Sequence, residues 1–147
     1  MTERPVLLVK RLHPNARLPQ RATPEATGFD LHACIEGGGS LEVGHEPVLV
    51  PTGIALETPT GWDIQVRPRS GLSARGVMVT FGTIDGDYRG EVLVTMYVLP
   101  YRAPHTVRHG DRIAQLVVGR AVDVIVEESV DLSPTERGEG GHGSTGH

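Results

Sequence analysis

The chain has 147 residues, 38% of them hydrophobic and only 4% aromatic, with a formal net charge of −4 at pH 7. That length suits one domain with a real core and is short for two. The acidic balance argues against polymeric nucleic acid or an anionic membrane as the main partner, and leaves room for a compact anion held by a few placed arginines.

Nineteen glycines and eleven prolines punctuate the chain, so its elements should be short and bounded by turns. The spacing predicts strands in "PVLLVKRL" (5–12), "GFDLHAC" (28–34), "PVLVPTGIAL" (47–56) and "WDIQVRP" (62–68). The one helical candidate, "SGLSARG" (70–76), is a turn or two long. Further strands are expected in "GVMVTFG" (76–82), "EVLVTMYVLP" (91–100), "RIAQLVVGR" (112–120) and "VDVIVEES" (122–129). Between them lie "EGGGS", "VGHEP", "TPTG", "DGDYRG" and "RHGD", all turn chemistry. Many short strands with regular turns point to an all-β sandwich, jelly roll or barrel. The single Cys34 rules out an intrachain disulfide, and its place in "LHAC" suits a buried, inert thiol. No apolar run follows a basic N-terminal segment, so neither a signal peptide nor a membrane span is expected, and a cytoplasmic location is the default.

Three stretches and the tail carry candidate chemistry. In "GTIDGDYRGEV" (82–92) a hairpin-type turn holds two carboxylates, Asp85 and Asp87, beside Tyr88 and Arg89. A turn needs such residues for its own sake, but a carboxylate on a rigid turn can also activate water while a tyrosine offers a flat packing surface. In "RPRSGLSARG" (67–76), Arg69, Ser70 and Gly71 at the mouth of a short helix can grip an anion, or merely cap the helix. In "RHGDRIAQLVV" (108–118), Gln115 interrupts an apolar run, as a satisfied core amide or as a group facing a ligand. His105, His109 and Asp111 make a poor zinc site, because His residues four apart face one ion only on a helix. The tail "RGEGGHGSTGH" (137–147) could be a frayed end or a lid that orders over a ligand.

Taken in order, "ATGFDLHA" (26–33), "RPRSGLSARG", "GTIDGDYRGE", "RIAQLVV" and "RGEGGHGSTG" resemble the five ordered motifs of the trimeric dUTPases. The resemblance runs from residue 26 to the end. It implies a distorted jelly-roll or β-clip-type barrel, with residues 1–136 forming the β domain and residues 137–147 a flexible arm over the active site. It implies a homotrimer with shared sites and Mg²⁺-dependent hydrolysis of dUTP to dUMP and pyrophosphate by attack on the α-phosphorus. Such an enzyme limits uracil incorporation into DNA and supplies dUMP for thymidylate synthesis.

By the same resemblance, Asp85 matches the carboxylate that activates water, and Tyr88 the ring that packs on deoxyribose and excludes a 2′-hydroxyl. Main-chain groups of a hairpin within 78–84, among them Gly82 and Ile84, match those that read uracil. Arg69, Ser70 and Gly71 match a phosphate motif contributed by a neighbouring subunit, and Gln115 a polar group near the phosphates. Asp30 matches a carboxylate that reaches magnesium through water. Arg137, His142, Gly143, Ser144 and Thr145 match the arm of a third subunit. Two positions depart from the family pattern. His142 stands where the arm commonly carries Phe, and "GVMVTFGTID" is slightly shorter than in many relatives, with Phe81 where small or polar residues are usual. A related dCTP deaminase would need a catalytic glutamate where this chain has Thr95. A non-catalytic nucleotide-binding regulator would lack the Asp or the arm, and a carbohydrate-binding jelly roll would not explain "DGDYRG" or the tail.

Overall fold

The computed structural model describes residues 3–143 and 145–146. Ten strands occur among them: β1 (Leu8–Arg11), β2 (Phe29–His32), β3 (Ser40–Val43), β4 (Val48–Glu57), β5 (Trp62–Arg67), β6 (Val77–Val79), β7 (Gly82–Ile84), β8 (Glu91–Val98), β9 (His105–Arg108) and β10 (Arg112–Arg120). One short helix, α1 (Ser70–Ala74), stands where the sequence places it. The strands form two four-stranded sheets, ordered β1-β4-β8-β6 and β2-β10-β5-β7, and a two-stranded ribbon β3-β9, all antiparallel where paired. This is the all-β architecture expected from the short alternating runs, of the jelly-roll type that the family resemblance implies.

Strand β8 shows how the sequence builds the core. Val92, Val94, Met96 and Val98 alternate along it and are all buried, while Leu93, Thr95 and Tyr97 face the other way. They meet Val50 and Ile54 of β4 and, in the same buried cluster, Leu31, Ile64 and Leu116 of the second sheet. Each such side chain contributes about 1.5–3 kcal/mol on burial. Where β4 passes β8 the register jumps between Pro51 and Ala55. Gly53 sits in that bulge at φ +70°, and its N–H donates to the Glu91 carboxylate at 2.8 Å. A Cβ there would lie 2.8 Å from Cys34 Sγ and 2.9 Å from Ala16 Cβ, so both the backbone and the space demand glycine. Cys34 itself is a buried free thiol whose pKa is pushed up, chiefly by burial and then by Glu91.

Three expectations need correcting. The run 76–82 is not one strand: β6 pairs with β8 and β7 with β5, so Thr80 and Phe81 carry the chain from one sheet to the other, and no hairpin spans 78–84. For the same reason "DGDYRG" is a turn between sheets rather than a hairpin loop, since β7 and β8 do not pair with each other among the described residues. Lastly, "VDVIVEES" forms no strand; the chain leaves the sheet after Arg120, and a strand needs an edge to pair with. Its apolar side chains lie in the open, with Ile125 95% exposed and Val126 94%.

Candidate functional site

The turn Asp85–Tyr88 is closed by the Tyr88 N–H donating to the Asp85 carbonyl at 3.0 Å. Its far side is tied down twice. The Tyr88 hydroxyl donates to the Glu91 carbonyl at 2.8 Å, and Arg89 donates to the Gly86 carbonyl at 2.8 Å while pairing with Glu57 at 3.5 Å. The tyrosine ring lies over Gly90, where a Cβ would come within 2.5 Å of the hydroxyl; any larger residue would push the ring away. Asp85 and Tyr88 line a cavity of about 240 Å³ together with Gly82, Thr83, Ile84 and Val66. Four of the expected residues thus share one wall: Gly82, Ile84, Asp85 and Tyr88.

A second group gathers on the sheet β2-β10-β5. Gln115 is the Cα partner of both Asp30 on β2 and Arg67 on β5. Its amide donates to the Pro68 carbonyl at 2.9 Å and fills the space that a side chain on Gly28 would take. Arg69 follows Pro68 at the N-cap position of α1 and uses no side-chain cap, so the guanidinium is turned elsewhere. It lies 3.9 Å from Asp30 and donates to the Arg112 carbonyl at 3.1 Å. Ser70 and Gly71 begin the helix, where N–H groups have no intrahelical partner. Asp30 also pairs with Arg112 at 3.7 Å, with its own side chain 17% exposed.

Arg69 and Arg112 open onto a cavity of about 270 Å³ that Arg75, His105 and Asp111 complete. Sequence reasoning gave Arg112 and Arg75 no role. Arg75 stands at the C-cap of α1, one short helix away from Arg69, whereas Arg112 is brought beside them by the pairing of β10 with β2, which the local sequence does not reveal. His109 and Asp111 are spent on the backbone instead: the His109 ring accepts the Ile35 N–H at 3.0 Å, and Asp111 accepts the Arg108 N–H at 2.8 Å. Nearby, His32 is 9% exposed, and its Nδ1 has no hydrogen-bond partner among the described residues. Its pKa is lowered by burial first and by Arg17 next, with Asp30 acting in the opposite sense.

The pKa of His105 is also lowered from 6.5, first by burial and then by Arg102 and Arg75. A folded-state pKa below the unfolded value means that the unfolded chain binds more protons just below pH 6.5, so stability should fall as pH drops through that window. Urea midpoints taken from pH 7.5 down to the onset of acid unfolding should therefore decline less steeply in His105→Gln than in wild type. Parallel curves would remove His105 from the acid sensitivity.

Among the described residues, no hydrogen bond or ion pair joins the tail to either group. Every hydrogen bond described for residues 135–146 stays inside the segment, such as Arg137 Nε donating to the Gly140 carbonyl at 2.7 Å. His142 has φ +51°, and Gly143 and Thr145 are exposed. Ser144 lies outside the described residues.

Comparison with known proteins places these motifs in a family. The dUTPase family model matches residues 14–146. The deoxyuridine 5′-triphosphate nucleotidohydrolase of Desulfotalea psychrophila is 48% identical over 132 residues, which is 88% of this chain and 87% of that protein. The same-named protein of Treponema pallidum is 48% identical over 141 residues, covering 92% and 94%. In three dimensions the fold is similar to that of the Staphylococcus bacteriophage 80alpha dUTPase solved with dUpNHpp, with a TM-score of 0.81 and 24% identity over 97% of this chain and 99% of that one. A phage phi11 dUTPase described with a structural Mg(II) ion has a TM-score of 0.76 at 19% identity, over 88% and 99%. The chain belongs to the dUTPase family and hydrolyses dUTP to dUMP and pyrophosphate.

Proposed function

We propose that Asp85 is the general base of this hydrolysis, taking a proton from a water placed for in-line attack on the α-phosphorus of dUTP. The observation that carries this is the shared wall of Gly82, Ile84, Asp85 and Tyr88, on a turn fixed at both ends. A base held this rigidly needs no reorganisation at the moment of attack. Main-chain groups of Gly82 and Ile84 read uracil; cytosine mismatches their hydrogen bonds, and thymine brings a methyl group into the wall. The Tyr88 ring packs on deoxyribose and leaves no room for a 2′-hydroxyl. Arg69 and the free N–H groups of Ser70 and Gly71 hold phosphate oxygens, with Gln115 fixing the Pro68 carbonyl beside them.

The donor set also suits magnesium. The ion prefers oxygen ligands, keeps several waters and commonly rides on substrate phosphates with one or two carboxylates. Among the described residues no group of three His, Cys, Asp or Glu side chains gathers to cage a metal, and Asp30 is a partly open carboxylate held between two arginines. Asp30 would hold Mg²⁺ through water. When bound, the ion neutralises charge on the phosphate oxygens.

The site is shared in a homotrimer. Support comes from the tail, whose hydrogen bonds stay local, and from the exposed apolar run Val122–Val130. A cavity of about 680 Å³ on the same chain, lined by Leu7, Leu18, Phe29 and Trp62, offers apolar surface of the kind such a run could cover in another copy. Residues 1–136 act as the β domain. Arg137, His142, Gly143, Ser144 and Thr145 act as an arm that closes on the nucleotide, with glycine letting backbone approach phosphate oxygens and His142 stacking on the base. In the cytoplasm this activity keeps uracil out of DNA and supplies dUMP for thymidylate synthesis. Among the described residues no helix is long and apolar enough to cross a membrane.

Hydrolysis in ¹⁸O-labelled water tests the point of attack. The label should appear in dUMP; label in pyrophosphate would mean attack at the β-phosphorus. Tyr88→Ala should lose some activity with dUTP and gain relative activity with UTP, because the ring no longer fills the space beside C2′. An unchanged dUTP/UTP ratio of kcat/KM would leave Tyr88 as packing for the turn alone.

A further inference from the structure

Phe81 stands in the two-residue link between β6 and β7 and is 69% exposed. A solvent-facing phenyl ring is a cost that a two-residue link does not require. Along this stretch Phe81, Thr83 and Asp85 are exposed, while Gly82 and Ile84 are half-buried and Ile84 packs against the core. This alternating exposure puts Phe81, one residue before β7, on the same side as Asp85, one residue after it. At about 3.3 Å per residue the two lie roughly 13 Å apart, a span comparable to a nucleoside 5′-phosphate. The floor between them is low. Gly82 has no side chain, and the Thr83 hydroxyl is drawn aside to Gln65 Oε1 at 3.2 Å.

We propose that Phe81 is a substrate-binding residue of this enzyme, its ring stacking on the pyrimidine base while Asp85 faces the α-phosphate. The assignment rests on the Asp85–Tyr88 cavity being the nucleotide site. Any base presents a π-face, so stacking adds affinity without choosing between uracil and cytosine, a choice left to the main chain. Phe81 raises the affinity for triphosphates that carry a base over those that do not.

The test uses full-length Phe81→Ala, Phe81→Leu and Phe81→Trp. Each is assayed with dUTP and with deoxyribose 5′-triphosphate lacking a base, and binding of dUpNHpp is measured alongside. Phe81→Ala should raise KM for dUTP and Kd for dUpNHpp roughly tenfold to a hundredfold. Its kcat should stay near wild type, and the base-free substrate should be unaffected. Phe81→Trp should restore binding and Phe81→Leu should not. Rescue by Leu equal to that by Trp, an equal KM rise with the base-free substrate, or unchanged dUTP kinetics in Phe81→Ala would each overturn the stacking role. So would a change in native mass in Phe81→Ala, which would place Phe81 in a contact between copies. If the wild type binds dUpNHpp without hydrolysing dUTP, the Asp85 mechanism fails while the binding comparison at Phe81 still gives its answer.

Discussion

Asp85→Asn should leave the protein folded and able to bind dUTP while removing most of its turnover. The side chain is exposed, and the turn uses the main-chain carbonyl of Asp85 to accept the Tyr88 N–H, so the fold does not depend on the carboxylate. The substitution keeps shape and removes the proton acceptor. A positioned general base contributes about a hundredfold to ten-thousandfold, so kcat should fall by that much with little change in KM. Asp87 lies two residues along the same turn, outside the cavity wall that Asp85 and Tyr88 form. Asp87→Asn should therefore cost far less. Near-normal kcat in Asp85→Asn, or equal losses at both positions, would remove the assignment. Circular dichroism and native mass separate lost chemistry from lost fold.

The second large effect concerns the tail. A protein truncated before Arg137 should be nearly inactive, and so should Asp85→Asn, yet the two refolded together in equal amounts should recover activity. In a closed cyclic trimer with random mixing, three quarters of assemblies are mixed, and each mixed trimer holds one site with an intact Asp85 and an intact arm from different chains. Recovery should reach roughly a quarter of wild type. No recovery, with mixed trimers confirmed by mass, would mean that each arm closes over its own chain's Asp85. The activity would survive that result and the shared architecture would not.

Most of the candidate site is legible in the sequence because its residues are local. Gly82, Ile84, Asp85 and Tyr88 lie within seven positions and reach one cavity wall through a single strand and turn. Arg69, Ser70 and Gly71 are likewise contiguous at the start of α1. What local pattern cannot supply is pairing. "GVMVTFG" has the composition of one strand, and nothing in it reveals that β6 and β7 belong to different sheets. "SLEV" and "HTVR" are too short and mixed to read as strands; they exist because β3 and β9 pair across more than sixty residues of chain. "VDVIVEES" errs in the other direction, being apolar and β-branched but without an edge on its own chain. Arg112 is missed for the same reason. Its ion pair with Asp30 depends on the β10–β2 register, and Asp30 lies far away in sequence.

A site built this way should hydrolyse dUTP in preference to every near relative of it. The most direct measurement is product analysis, by pyrophosphate release and nucleotide chromatography, with dUTP, dCTP, dTTP and UTP supplied separately at equal concentration with Mg²⁺. A site that pairs with uracil through fixed main-chain groups can discriminate on the order of ten-thousandfold. The expected result is dUMP and pyrophosphate from dUTP, with the other three essentially untouched. Conversion of dCTP to dUTP, or comparable pyrophosphate release from all four, would contradict it.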